Sequence, residues 1–581
     1  MANKKQPRLC ALKTPFEDAT NRTVSWETEY PRPQLRRASY ISLCGDWSLA
    51  VKTADGKIDD LGNIYVPYPP ESRISGIERQ LLRREKYIYQ KSFTLPAFSR
   101  SERVILHLDA VDQIASVTVN DSEFSEHTGG YLPFELDVTE AVREGQNHVT
   151  VEVRDELDHT YGWGKQKRNR GGMWYTPISG IWKSVWIEIV PKTYIRHLHI
   201  TPSLDCAVVE MSGGKNNKTA TLFDGEREIK YTFSGSTVTL KPEHPILWTP
   251  ENPHLYEFEI TDGTDTVRSY FALRTFTVES RGERSYMCLN GEPYFCHGLL
   301  DQGYFPDGIY TPATPDGFIY DIKKMKELGF NMLRKHIKIE HELFYYYCDK
   351  YGMLVFQDMV NSGDYSFFLD TALPTVGLKR GINHRATARR KAHFLESSKA
   401  TLELLYNHPS VVYYTVFNEG WGQFEADKCY NLLKACDKTR VFDATSGWFT
   451  CKNSDVVSEH IYFKPLKFKS RADRPLVLSE FGGYSLRIDG HVFNLDKNYG
   501  YSTCTSPEEF EEAFCRLYRD QVIPAIEQHG LCATVYTQVS DVEDETNGLV
   551  TYDRQICKVD TKAMQSIAAQ LFEAFDKTAK Q

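Results

Sequence analysis

With 581 residues, 69 basic and 78 acidic side chains and a net charge of −9, the chain is too long for one ordinary core, so three or four domains are expected, or fewer if one is a barrel. Hydrophobic residues at 41% and charged residues at 25% are in the soluble globular range, and no basic run or aromatic-basic stripe marks a nucleic-acid surface. No stretch reaches the length of a membrane span, the apolar patch after MANKK is too short for a secretory signal, and the 13 scattered cysteines without a CxxC pair read as reduced thiols of a cytoplasmic protein.

From about 40 to 191, the runs ISLCGDWSLAV, YIYQKSFTL, RVILHLDAV, ASVTVND, HVTVEVRD and KSVWIEIV are β-rich and separated by turn residues. They predict an all-β sandwich or jelly roll. A second set over about 194–276, RHLHITPSLD, AVVEMSGG, TATLFDG, STVTLK, LYEFEITDG and VRSYFALRT, fits an immunoglobulin-like β-sandwich. No low-complexity linker divides the two, so close packing is expected.

Beyond Glu279, strand-like segments alternate with amphipathic helices, which implies βα units and a parallel sheet. The strands are PYFCHGLL, NMLRKHI, MLVFQDM, VVYYTVFN, VFDATSG, VVSEHIYF, PLVLSEFGG and CATVYTQVSD, with helices at about 316–328, 340–351, 387–406, 425–437, 507–529 and 561–575. Ser506-Pro507-Glu508-Glu509 has a Ser cap, Pro at the first helical position and Glu three residues after the cap, a strong helix start. Eight such strands predict a (β/α)₈ TIM barrel. The expected domains are 1–193, jelly roll; 194–276, immunoglobulin-like; and 277–581, catalytic barrel.

The fourth barrel segment, VVYYTVFNEGWG over 411–422, is apolar at nearly every position before it breaks at Asn418-Glu419-Gly420. It reads as a strand buried on both faces. Taken alone, Glu419 reads first as the start of a surface loop. LVLSEFGG, the seventh segment, repeats the pattern with Glu480. Active sites of barrels form at the C-terminal ends of the strands. Two strands of one barrel thus each carry a carboxylate at that rim, as a retaining glycosidase requires, with carboxyls about 5 to 5.5 Å apart.

In order and spacing, GDW from Gly45, VPYPPES (66–72), SGIWKSVW (179–186), LWTPENPHLY (247–256), NMLRKHI, FNEGWG and LSEFGG resemble glycoside hydrolase family 2, the group of β-galactosidases, β-glucuronidases and β-mannosidases. The resemblance covers nearly all of the chain and implies the same three-domain architecture. It also implies a retaining exo-β-glycosidase, β-galactosidase-like by default, with Glu419 as acid/base and Glu480 as nucleophile. Asn418 is implied to hold the sugar 2-hydroxyl, Arg334 and His336 to lie near the sugar, and Tyr462 to steady the nucleophile.

The remaining candidates carry two readings each. Repulsion from the neighbouring carboxylate is expected to raise the pKa of Glu419. Arg334 at a barrel rim is equally read as the ion-pair partner of Asp358. His460 reads as a site residue or a satisfied core histidine, and Trp421 and Trp448 as sugar platforms or packing residues. Gln538 and Asp541 read as rim hydrogen-bonders or structural residues. No metal or cofactor is expected, because no additional carboxylate or His cluster has ligand spacing. The expected partner is a β-glycoside, with no nucleic acid or membrane and with homo-oligomers through the sandwich faces.

Two departures bear on the sugar. Aligned on Gly180-Ile181, Trp174 stands where family members have an Asp in a first-domain loop that enters the site. The Asn-x-Lys pair of glucuronidases after the eighth strand is replaced by Asn547-Gly548-Leu549, and an uncompensated carboxylate in a tight pocket is costly. Lys165, Lys167, Arg168 and Arg170 read first as a solvated face. If their loop reaches the site, they suit a β-uronidase, either a galacturonidase or an atypical glucuronidase. A non-catalytic carbohydrate-binding protein is the remaining alternative, disfavoured by the presence of both glutamates.

Overall fold

The computed structural model describes residues 8–18, 25–375, 385–449, 451–468 and 473–580. Two antiparallel sheets form the first domain. One orders Tyr40–Ser42, Val185–Pro191, Glu102–Leu108 and Phe134–Asp137; the other runs from Ile58–Val66 through Gly45–Lys52, Lys86–Leu95 and Gly145–Arg154 to Ile114–Val119 and Ser122–Glu123. Along Gly45–Lys52, Trp47, Leu49 and Val51 point into the core between the sheets while alternate residues face outward, the expected pattern of a half-buried strand. The second domain packs three strands, Ile195–Pro202, Ala207–Gly213 and Thr237–Leu240, against four, Arg227–Ser234, Asn217–Asp224, Tyr256–Thr261 and Thr266–Phe271. Arg227–Ser234 is a strand beyond those expected. It is an edge strand with no fully buried position, yet Ile229, Tyr231 and Phe233 alternate along it and pack half-buried on the core, a period-two pattern that the sequence carries.

A hairpin, Phe276–Arg281 with Arg284–Leu289, precedes the barrel and lies against the end of the helix before its last strand, where Arg284 Nη2 donates to Glu527 O at 3.1 Å. The barrel strands are β1 (Cys296–Asp301), β2 (Met332–Lys335), β3 (Leu354–Asp358), β4 (Val411–Asn418), β5 (Val441–Ser446), β6 (Val457–Ile461), β7 (Leu476–Gly482) and β8 (Leu531–Thr537). They form one parallel sheet in the order β5-β4-β3-β2-β1-β8-β7-β6. Between β5 and β6, Ser458 Oγ spans the gap, accepting from Gly447 N at 3.2 Å and donating to Thr445 O at 3.4 Å. All eight residues of β4 are buried, as a strand covered on both faces requires.

The outer helices are α1 (Asp316–Glu327), α2 (Glu342–Tyr351), α3 (Ala388–Leu405), α4 (Ala426–Cys436), α5 (Pro507–Leu517), α6 (Ile523–His529) and α7 (Thr561–Ala579). The helix expected over 507–529 is two helices joined by a π-helical turn, Tyr518–Val522; Pro524, at the start of α6, cannot donate into a continuous α-helix. Ser506 caps α5 by accepting from Glu509 N. The Glu509 carboxylate reaches back one residue further than in a capping box, to Thr505 N at 2.7 Å. No helix among the described residues is long and apolar enough to cross a membrane.

Both sandwiches pack on the barrel. Arg274 donates to Pro409 O and Val411 O at the entrance to β4, and Lys183 Nζ ties Tyr131 O to Glu340 O. One first-domain segment reaches the barrel's C-terminal rim. Trp163 Nε1 donates to Gly363 O at 3.0 Å, and Thr176 N donates to Glu543 Oε1 at 2.9 Å. This anchors the stretch between them, with Lys165 and Trp174, over the mouth.

Candidate active site

The rim of the barrel opens into a cavity of about 1360 Å³ that contains Asn418, Glu419, His460, Tyr462 and Glu480. β4 delivers Glu419 one residue past its end, and the backbone turns there into the left-handed region, φ +49°. A non-glycine residue in that region is strained, and such strain persists where the surroundings over-determine it. Glu480 lies within β7. One oxygen of Glu419, one of Glu480 and a ring nitrogen of His460 all lie within 4.8 Å of one another.

Arg334, on β2 and 1% exposed, organises the floor. Its Nε donates to Asp358 Oδ1 at 2.9 Å, Nη1 to Glu480 Oε1 at 3.1 Å and Ser479 O at 2.9 Å, and Nη2 to Asn418 Oδ1 at 2.8 Å and Ser446 Oγ at 3.1 Å. Tyr462 donates to Glu480 Oε2 at 2.9 Å. Together these donors hold Glu480 at both oxygens, which fixes the direction in which the carboxylate points. Arg334 thus pairs with Asp358, as one of its two readings has it, and through the same guanidinium holds Asn418 and Glu480.

The two glutamates sit in different surroundings. Burial pushes the Glu419 carboxyl up to about 7, against the opposing charges of Lys165 and Arg334. Desolvation, and not the repulsion by Glu480 expected from the sequence, is thus the leading cause. Burial also acts on Asp358, but Arg334 and the His336 hydrogen bond outweigh it and hold that carboxyl at about 2. His336 Nδ1 is 2.9 Å from Asp358 Oδ2, and burial followed by the charge of Lys165 lowers the imidazole to about 3.

Trp174 enters the cavity as the middle ring of a stack, 5.4 Å from Trp163 and 5.4 Å from Trp421, with Lys167 Nζ 3.6 Å from its centroid. Trp448 also lines the cavity and donates Nε1 to His460 O at 3.2 Å. Gln538 and Asp541 do not reach the cavity. Gln538 donates to Glu545 Oε2 and Asn547 Oδ1, at 2.8 and 2.7 Å, and Asp541 is neutralised by Lys558 at 2.6 Å and accepts from Gly548 N. Their rim reading is corrected to a structural one: they fold the segment after β8 under itself.

The four first-domain cations divide. Arg168 is spent on Leu81 O and Asp155 O, and Arg170 on Glu543 and Asp544. Lys165 is 7% exposed and lines the cavity, which corrects its reading as part of a solvated face. The sequence offers no additional carboxylate or His cluster with ligand spacing, but in the fold His460 joins the two glutamates, and among the described residues these three have metal-ligand spacing. They come from three strands, so no local spacing in the sequence reveals them. Tyr365, Tyr499 and Tyr501 line the walls as well, and sequence reasoning misses them. Tyr501, stacked on Tyr462 at 4.0 Å, comes from an irregular segment after β7 that carries no motif.

Comparison with known proteins agrees with this architecture. Three family models match in succession: the glycosyl hydrolase 2 galactose-binding domain-like model over 68–187, glycosyl hydrolases family 2 over 193–274, and the glycosyl hydrolases family 2 TIM barrel domain over 312–569. A beta-galactosidase of Pseudoalteromonas haloplanktis is 24% identical over 515 residues, covering 81% of this chain and 46% of that protein. A beta-glucuronidase of Rattus norvegicus is 26% identical over 368 residues, covering 57% and 54%. The chain thus spans about half the length of these curated relatives. Among solved structures, the beta-D-glucuronidase of Dictyoglomus thermophilum superposes with a TM-score of 0.72 at 20% identity, covering 94% of this chain and 98% of that one. A GH2 beta-galacturonidase from Eisenbergiella tayi gives 0.66 at 18%, also covering 94% and 98%. Matched in order across all three domains, the chain belongs to glycoside hydrolase family 2.

Proposed function

We propose that the chain is a retaining exo-β-glycosidase acting by double displacement. The observation that carries this reading is the carboxylate pair at the rim, with oxygens of Glu419 and Glu480 within 4.8 Å of one another. So close an approach of two oxygens is in keeping with the carboxyl separation of about 5 to 5.5 Å in retaining enzymes, where the nucleophile contacts the anomeric carbon, more than with the roughly 6.5 to 9.5 Å that admits a water in inverting ones. Glu480, held by Arg334 and Tyr462, attacks C1 while Glu419 gives its proton to the departing glycosidic oxygen. In the second step Glu419 takes a proton from water, whose oxygen attacks C1 and frees Glu480. Asn418 Oδ1 accepts from both Arg334 and Ser446, at 2.8 and 3.0 Å. The amide is thereby oriented with Nδ2 as the donor left for the sugar 2-hydroxyl, a contact that strengthens in the oxocarbenium-like transition state.

The default glycone is galactose, but one observation favours a uronate. Lys165 is buried at the cavity wall, and apart from the flanking rings of Tyr175 and Trp421 at 5.8 and 5.9 Å its ammonium has no hydrogen bond or ion pair with another described residue. The charge of Lys165 acts on Glu419 and Glu545 without touching either, and a buried charge with no contact partner is costly; a substrate carboxylate supplies that partner. Lys165 would then do the work of the missing Asn-x-Lys pair. The test is a panel of nitrophenyl β-galactoside, β-glucuronide and β-galacturonide with wild type and Lys165→Met. Loss of one partner of a buried charge pair costs about 2 kcal/mol or more, so kcat/KM for the preferred uronide should fall about thirtyfold or more while any neutral glycoside is spared. Preference for the β-galactoside, unchanged by Lys165→Met, returns the assignment to the default.

A further inference from the structure

His460, on β6, has a side chain with no solvent exposure. Its Nδ1 lies 3.0 Å from Glu419 Oε1 and 3.6 Å from Glu480 Oε2, and its Nε2 lies 3.4 Å from Arg334 Nη1. A guanidinium only donates. A proton on Nε2 would point at that donor, whereas Nδ1 faces two carboxylate oxygens, so in a neutral ring the single proton sits on Nδ1 and is donated to Glu419 Oε1, with the Nε2 lone pair turned toward Arg334. Burial lowers the imidazole to about 3 against the charges of Glu480 and Asp358, with Arg334 and His336 acting in the same direction as burial, and the ring is neutral. The ring is also fixed in place, because it fills the space that a Cβ at Gly447 would need and the Trp448 indole holds its carbonyl.

We infer that His460 is a positioning residue that assigns the transferable proton to Oε2 of Glu419, by occupying Oε1 with its own Nδ1–H. The inference rests on the reading of Glu419 as acid/base. In the first step the Oε2 proton passes to the glycosidic oxygen as the C1–O bond breaks and its electron pair leaves with that oxygen. The carboxylate so formed keeps the Nδ1–H bond at Oε1, and in the second step Oε2 takes the proton from water. His460 itself neither gains nor loses a proton. The same imidazole links the acid to the guanidinium that holds the nucleophile, so both carboxyls share one rigid support.

Other charges acting on Glu419 are those of Lys165 from the first domain, Arg334 on β2, Asp370 after β3 and Glu480 on β7. The phenols of Tyr365, Tyr462, Tyr499 and Tyr501 also face it and stay neutral, burial raising each. None of these groups is changed in the variants that test the idea.

The test compares His460→Phe, which keeps an apolar ring in place without a donor, with His460→Asn, whose amide nitrogen can stand near Nδ1. The assay is kcat/KM from pH 5 to 9 on glycosides with activated aryl and with alkyl leaving groups. The expected result for His460→Phe is a roughly tenfold to hundredfold loss on the alkyl substrate, a smaller loss on the activated one, and a basic limb moved upward, since the Glu419 carboxylate has lost a donor. His460→Asn should restore the wild-type limb and most of the rate. Equal losses on both substrates with an unmoved limb, or an Asn variant no better than Phe, would overturn the inference. Should the Phe variant not fold, His460→Ala takes its place, and its contrast with Asn distinguishes the same two outcomes. A Glu419→Ala control without leaving-group dependence would instead overturn the acid/base reading itself.

Discussion

Replacing Glu419 by Gln should make the protein more stable, and increasingly so as pH rises. Burial lifts this carboxyl from its usual 4.5 to about 7, so between those values the folded protein binds a proton that the unfolded chain has released. Where the folded state binds more protons, stability falls as pH rises. The favourable contribution is complete below about 4.5 and lost through about 7, above which the anion is trapped in the fold. At about 1.36 kcal/mol per pH unit, the span corresponds to about 3 kcal/mol. A Gln amide has the shape of the carboxyl and no charge to desolvate. Urea unfolding of the barrel, followed by tryptophan fluorescence, should therefore show Glu419→Gln and wild type nearly equal at pH 5 and the variant ahead by about 3 kcal/mol at pH 8. A difference that does not change with pH, or a variant less stable than wild type at pH 8, would refute the argument that desolvation sets this group's proton affinity. The expected gain is a stability cost that the site bears for its chemistry.

Glu419→Ala should spare activated aryl glycosides and lower kcat on alkyl glycosides by about 10²- to 10⁴-fold, the range of general acid catalysis; steady-state rates across leaving groups of graded pKa check it. Asn418→Ala should lose the contact to the 2-hydroxyl, so that the variant treats a normal and a 2-deoxy glycoside almost alike while wild type prefers the former by several kcal/mol in transition-state binding. A variant that still discriminates would assign the 2-hydroxyl to another group.

Much of this site was legible because the barrel exposes its chemistry at strand ends. Largely apolar runs marked β4 and β7, and the polar residues that end them include Asn418 and Glu419 in one and Ser479 and Glu480 in the other. The same rule does not extend to β8. Gln538 and Asp541 also follow an apolar strand, but the chain there folds back and consumes them in bonds to Asn547 and Lys558, which depends on a turn no local pattern announces. Lys165 was hidden for the opposite reason. It stands among Lys167, Arg168 and Arg170, a charge run that reads as solvated, and only the anchoring of Trp163 and Thr176 on barrel loops carries it inward. The strained backbone of Glu419 and the three-way contact of His460 are likewise tertiary facts. The strand pattern located the acid; its surroundings, and hence the origin of its raised pKa, came from the folded barrel.

The most direct test of the double displacement is to trap its intermediate. Incubated with a 2-deoxy-2-fluoro glycoside of the preferred sugar bearing an activated leaving group, the protein should gain the mass of one fluorosugar, and peptide mapping should place it on Glu480. Glu480→Ala should take up none. A label on another carboxyl, or turnover that releases the inverted anomer without any labelled protein, would contradict the account.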